Sequence, residues 1–268
     1  MRVKYQYFKR IARRSFEKRF GGYISEAKLN VTYPFQTKRE STQKFFIYTH
    51  QRSGSTLLVN LLDSHPMIDC EGELLLDRMS SPMSYISKRQ RISQSEVFGF
   101  KLQPHHFTYQ NIENPESFLQ ELAQLKYKTI ILKRRNLFRA ALSLIYAINS
   151  GKFHRDSRYG EIQSSMIFID PDELLENIHW IEHNIELLDL YADRNPHLEL
   201  IYEDDLLDDV SHQSTVNRIC DYLGIQSENV AANLVRIMPG DFSTYIENAE
   251  ELKKIIGKTK YGRFLEEE

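Results

Sequence analysis

Cysteine is nearly missing from this chain. Its 268 residues include two, Cys70 and Cys220, far apart in sequence. Two distant thiols build no disulfide framework, and with no C-x-x-C pair they form no zinc-ribbon spacing. A reducing compartment suits them, so a cytoplasmic location is expected. No run of 18 apolar residues is present, so no membrane-spanning helix is expected. No apolar segment follows the N-terminus in the manner of a secretory signal. Net charge is also small: 35 Lys and Arg against 37 Asp and Glu leave −2, which argues against general nucleic-acid binding. Internal repeats and low-complexity linkers are absent. What remains is an ordinary globular composition, 41% apolar and 27% charged, at the upper end of single-domain size.

Residues 1–20 break that balance. Arg2, Lys4, Lys9, Arg10, Arg13, Arg14, Lys18 and Arg19 face one acid, Glu17, while Phe8, Ala12, Phe16 and Phe20 recur every four residues. This spacing predicts a basic amphipathic helix. Three roles fit it: packing on the domain, peripheral contact with a membrane surface, or an organellar transit segment. The chain therefore divides into a basic N-terminal segment, 1–40, and one domain, 41–268.

Within the domain, four short apolar runs read as buried strands: 45–48, 97–100, 129–132 and 198–202. Helical patterns cover 56–62, 136–149, 171–194 and 215–223, with Asp170-Pro171 opening the third and Gly224 closing the fourth. Strands alternating with helices predict an α/β three-layer fold around a mostly parallel central sheet. Ligands in such sheets bind beyond the carboxyl ends of the strands, so the segments after Tyr48, Leu102 and Leu132 are the places to search.

The first of these reads Thr49-His50-Gln51-Arg52-Ser53-Gly54-Ser55-Thr56 before a helix. Gly54 permits a tight turn. Free N–H groups at a helix start form an anion cradle, to which Ser53, Ser55, Thr56 and Arg52 add donors. It is not a Walker A loop, which needs a glycine five residues earlier and a following lysine; Mg²⁺-dependent kinase chemistry is disfavoured. A plain Ser/Thr helix cap is the bland alternative. The second segment places Lys133, Arg134 and Arg135 at a strand end, with Ser143 eight residues after Arg135 in an apolar helix. Arg135 and Ser143 could reach one phosphate; a solvated basic turn and a serine bonded to its own backbone explain the segment equally well.

Taken together, the two loops resemble those of the sulfotransferase family. QRSGSTLL is similar to its 5'-phosphosulfate loop and RRNLFRAALS to its 3'-phosphate site, with echoes in GFKL, YEDDL, DYLGI and the C-terminal NAEELKKIIGKTKYGRFL. The similarity covers roughly 44–265 and is nearest to bacterial enzymes acting on carbohydrates, of the trehalose and nodulation-factor type. It implies a P-loop-like fold and 3'-phosphoadenosine-5'-phosphosulfate (PAPS) as co-substrate, with no metal. By the same resemblance Arg52, Ser53, Gly54, Ser55 and Thr56 hold the phosphosulfate, Arg135 and Ser143 the 3'-phosphate, and Lys258, Thr259 and Lys260 close over the nucleotide. The longer C-terminal signature of eukaryotic cytosolic members is lacking.

Sulfuryl transfer needs in-line alignment, charge stabilisation and a base. Arg52 suits the charge role. Glu73 is the first choice of base, by likeness to the trehalose-type enzymes; His106 and His105 follow, and Glu71 stays open. His179 and His183 stand one helical turn apart but lack a third ligand, so they read as a helix face. Glu203, Asp204 and Asp205 read as a solvated acidic turn. The segments 74–96 and 150–170 are expected to shape the acceptor pocket, with Tyr85, Lys88, Arg89, Arg91, Phe153, His154, Arg155 and Arg158 available to a carbohydrate or other hydroxyl acceptor. Trp180 and Tyr146 are further stacking candidates, though core packing suits them as well. The alternatives to a sulfotransferase are a nucleotide-binding protein without catalysis and a P-loop kinase.

Overall fold

The computed structural model describes residues 21–38, 41–151, 155–156, 166–235 and 240–266. The expected helix over 1–20 lies outside them, as do Phe153, His154, Arg158 and the side chain of Arg155.

A five-stranded sheet carries the domain. In chain order its strands are β1 (Gln43–Thr49), β2 (Ile68–Glu71), β3 (Val97–Leu102), β4 (Tyr127–Lys133) and, later in the chain, Leu198–Ile201. The last is β6, because a two-residue strand β5 (Arg155–Asp156) precedes it and pairs with β7 (Leu234–Val235). The sheet order is β2-β3-β1-β4-β6 and every neighbour is parallel. Parallel strands buried on both faces read as continuous apolar runs. Accordingly β3 is buried along its whole length, and β1 and β4 are buried over most of theirs.

The connections are helical. Residues 21–32 form α1. Then come α2 (Ser55–Asp63), α3 (Pro82–Ile92), α4 (Pro104–Tyr109), α5 (Pro115–Gln124), α6 (Leu137–Ser150), α7 (Pro171–Ala192), α8 (Tyr202–Asp205), α9 (Asp209–Leu223) and α10 (Ala249–Ile256). One core layer sets α2 and α9 against Phe45, Ile47, Ile130 and Leu132. The other sets α3, α5 and the end of α7 against Phe46, Tyr48, Phe100 and Ile131. Alternate residues of β1 and β4 thus serve opposite layers, as a period of two requires. A third cluster joins α6, α7, α10 and the C-terminal turn.

The order of strands places β1 at the centre with β4 beside it. The chain leaves β1 for α2 on one layer and leaves β4 for α6, which packs on α7 of the other. Such a divergence opens a crevice at the strands' carboxyl ends, between loop 50–54 and residues 134–136.

Within segment 74–96 the residues Pro82–Ile92 form α3, which buries Tyr85, Ile86 and Gln90 and turns Arg89 onto Glu71 at 2.6 Å. One expectation changes here. The 203–205 turn is not simply solvated. Asp205 is buried, accepts the Ile201 N–H at 2.7 Å and pairs with Arg218 at 2.5 Å. A buried carboxylate needs such partners, and the strand end provides them.

Candidate active site

β1 ends in a frame of buried hydroxyls. Thr49 Oγ1 donates to the Leu132 carbonyl at 2.7 Å, so Ser53 Oγ, 2.6 Å away, donates to Thr49. The Ser53 hydroxyl thereby helps to join β1 to β4. Next, Arg52 adopts φ +58° and Gly54 φ +86°. Gly54 is required twice over. Its φ lies in the left-handed region, and a Cβ there would stand 2.4 Å from the Tyr202 ring. Gly54 is also the N-cap of α2 and supplies no capping side chain. The amides at the start of that helix are oriented for an anion, aided by the helix dipole.

Cations surround this turn. Arg52 Nε donates to Ser143 Oγ at 3.0 Å. Burial, with Arg134 beside it, lowers the Arg52 guanidinium to about 10, still charged at neutral pH. Arg134 Nη1 donates to the Arg52 carbonyl at 3.3 Å and its guanidinium lies 4.6 Å from the Tyr202 ring centre. Lys101, in the apolar strand β3, donates to Thr56 Oγ1 at 3.3 Å. His50 ties the two loops together: Nδ1 meets the Gln51 carbonyl at 2.8 Å and Nε2 accepts the Arg134 N–H at 3.0 Å. That pattern fixes a neutral ring with its proton on Nδ1, and burial lowers the group to about 4.

In the second loop Ser143 accepts from Arg52. The Arg135 guanidinium reaches Asp204 at 2.5 Å, with the Arg135 side chain 52% exposed. The Arg135 and Asn136 amides donate to the two oxygens of Glu203 at 2.9 and 3.0 Å. A carboxylate therefore already fills the amide pair before α6. Lys260 pairs with Glu182 of α7 at 2.6 Å, Thr259 Oγ1 donates to the Ile256 carbonyl at 2.7 Å, and Lys258 is exposed. The C-terminal turn nonetheless reaches this loop, because Asn136 Nδ2 donates to the Phe264 carbonyl at 3.0 Å.

The candidate bases converge. Glu73, His105 and His106 each bring a ligand-capable atom within 4.8 Å of the others. Lys101 Nζ sits 2.7 Å from Glu73 Oε1, and His106 Nε2 lies 3.7 Å from Oε2. Burial raises the Glu73 carboxyl, but the His106 and Lys101 contacts outweigh it and hold the group well below the usual carboxylate range. The Gln103 N–H points at His106 Nδ1 from 3.3 Å. The neutral ring therefore carries its proton on Nε2, facing Glu73. Burial keeps both His105 and His106 below the ordinary imidazole value. Gln51 Nε2 contacts His105 Nδ1, whose ring also lies edge-on to Tyr109 and 6.3 Å from Trp180. Glu71 is held by Arg89. Tyr146 is buried against Tyr245, and His179 and His183 are exposed on α7, beside Tyr261 and Glu186 respectively.

Residues 44–136, from β1 to the start of α6, match the sequence model of the sulfotransferase family. Over that stretch the chain is sulfotransferase-like. Two solved structures are similar over most of its length. A mouse sulfotransferase crystallised with PAP is 14% identical over 88% of this chain and 92% of that one, with a TM-score of 0.45. The sulfotransferase domain of a Synechococcus olefin synthase is 18% identical over 71% and 76%, with a TM-score of 0.39. No curated protein matches the chain. The matched stretch contains the first loop, Glu73, Lys101 and both histidines. Roles for His50, Lys101, Gln103 and Glu203 were not foreseen from the sequence. Lys101 alone had a visible signal there: a cation inside the apolar run Val97–Leu102.

Proposed function

We propose that this chain transfers a sulfuryl group from PAPS to a hydroxyl of a carbohydrate or glycolipid acceptor. The observation that carries the reading is the juxtaposition of a glycine-started helix turn, two flanking cations and an ionised, partly buried carboxylate. Arg52 and Lys101 border the turn, and Lys101 links it to Glu73.

In this reading the amides of 53–56 and Thr56 Oγ1 hold the 5'-phosphosulfate. The acceptor oxygen attacks sulfur in line, the bond from sulfur to the bridging phosphate oxygen breaks, and PAP leaves carrying that electron pair. Arg52 and Lys101 stabilise the growing charge; one such donor typically contributes about 3 kcal/mol. Glu73 takes the acceptor's proton. At rest its proton affinity is low. Lys101 touches both Glu73 and Thr56, so drawing the ammonium toward the loop raises the carboxylate's basicity as charge develops there. His106 presents Nε2–H to Glu73 and acts as its positioning residue.

For the 3'-phosphate, Arg135 must exchange Asp204 for the ligand. Half-exposed ion pairs of this kind contribute only about 0–1 kcal/mol, so the exchange is inexpensive. Ser143, held by Arg52, stands on the adjacent helix. Lys258 and Lys260 can approach through the C-terminal turn that Asn136 anchors. No metal is invoked: a ligating histidine hands its far N–H to an acceptor, whereas the far nitrogen of His106 receives one.

Titration calorimetry with PAP, free of added metal, tests this reading against Mg·ATP. Tight PAP binding with weak ATP binding supports it; the reverse preference reopens the kinase and nucleotide-binding readings. Binding without turnover on a panel of glycans and glycolipids would mark a nucleotide-binding protein instead.

A further inference from the structure

Helix α1 presents two opposed faces. Gly22, Glu26 and Leu29 recur at four and three residues and are buried. At about 100° per residue they form one stripe. This stripe docks α1 on the domain. A Cβ on Gly22 would meet the Arg78 carbonyl at 2.2 Å, Glu26 accepts the Ser80 and Ser81 N–H groups at 2.6 and 3.0 Å, and Leu29 enters the core. Asn30 adds a bond from Lys88 at 2.6 Å.

The opposite stripe is apolar and open. Ile24 is 64% exposed, Val31 70%, and Phe35, in the 3₁₀ turn that follows, 89%. Isolated exposed apolar residues are ordinary, but aligned large ones mark a contact surface. Lys28 and Lys38 are exposed in the same stretch. The only acid between residues 21 and 38 is Glu26, turned inward. Residues 1–20 carry eight Lys or Arg and one acid.

We propose that this face docks on an anionic lipid surface. Ile24, Val31 and Phe35 enter the interfacial layer, while Lys28 and Lys38 meet the headgroups. The charge distribution selects this occupant. A second copy would bring two basic runs together, whereas an anionic bilayer offers an apolar layer beneath negative charge. The surface is separate from the site above and does not depend on the reaction assigned to it.

The test is co-sedimentation of the full chain with phosphatidylcholine vesicles, alone or with about one third phosphatidylglycerol. The expected result is binding to the anionic vesicles only, weakened by salt. The triple variant Ile24→Ser/Val31→Ser/Phe35→Ser should lose about tenfold or more in affinity, with its unfolding midpoint and PAP affinity unchanged. Phe35→Trp should show a blue-shifted emission on the same vesicles. No binding to anionic vesicles overturns the proposal. So does a triple variant that binds like the parent, which would assign binding to the basic run alone. Dimerisation abolished by the triple variant, seen by analytical ultracentrifugation, would make the occupant a second copy and likewise overturn it.

Discussion

Glu73 owes its character to two neighbours. Lys101 and His106 keep it ionised despite its partial burial, so it is ready to accept a proton. Glu73→Gln should bind PAP within about twofold of the parent and lose about 10²–10⁴ in kcat; calorimetry and a transfer assay read the two quantities separately. Lys101→Met removes the cation that lowers Glu73, so the carboxylate pKa must rise. The acid limb of the kcat–pH profile should then move to higher pH, a shift that loss of structural integrity alone would not produce. Gly54→Ala tests the turn itself. Left-handed strain costs on the order of 1–3 kcal/mol, and the overlap with Tyr202 adds to it. Urea unfolding should show a loss of at least about 2 kcal/mol.

At the scale of elements, the clearest device is the carboxylate that ties α8 to the turn before α6. Glu203 on α8 binds the two amides ahead of α6. Glu203→Ala leaves both without their acceptor and should destabilise the domain by about 1–2 kcal/mol, measurable as a lower urea midpoint with an unchanged slope. This contact shows where sequence reading stops. Glu203 and Asn136 are 67 residues apart, and an acidic run is ordinarily solvated, so nothing local marks Glu203 as a partner of these amides. The loops were legible because their signals are local: a glycine, hydroxyls and cations directly after an apolar strand. β1, β3 and β4 declared themselves as unbroken apolar runs. β2, with the sequence Ile-Asp-Cys-Glu at the sheet edge, alternates with acids and did not. Nor did α4, six residues long and opened by proline, although it delivers both histidines. The expectation that Arg135 and Ser143 meet one phosphate rested on spacing and resemblance; the contact of Ser143 with Arg52, 91 residues earlier, had no local signal.

The whole molecule carries its site residues in a defined protonation state. His50 falls from 6.5 to about 4 on folding, because burial disfavours its charge. The unfolded chain therefore binds more protons between these values, and stability must rise with pH across that window. His105 and His106 shift in the same direction. Glu73, lowered from 4.5, adds stability above that value which is lost as pH falls below it. Urea midpoints should thus decline steadily from about pH 6.5 to pH 4; a flat profile would contradict the buried neutral state of His50. The same sheet that buries these groups leaves one ring within sight of them. Trp180 is the chain's single tryptophan, and its ring lies 6.3 Å from that of His105. Nearly all ultraviolet emission excited at the red edge of the protein's absorption must come from the rim of the candidate site. The native chain is therefore its own optical probe: occupancy beside Glu73 can be followed in real time by quenching or spectral shift, without a label and before any acceptor is known.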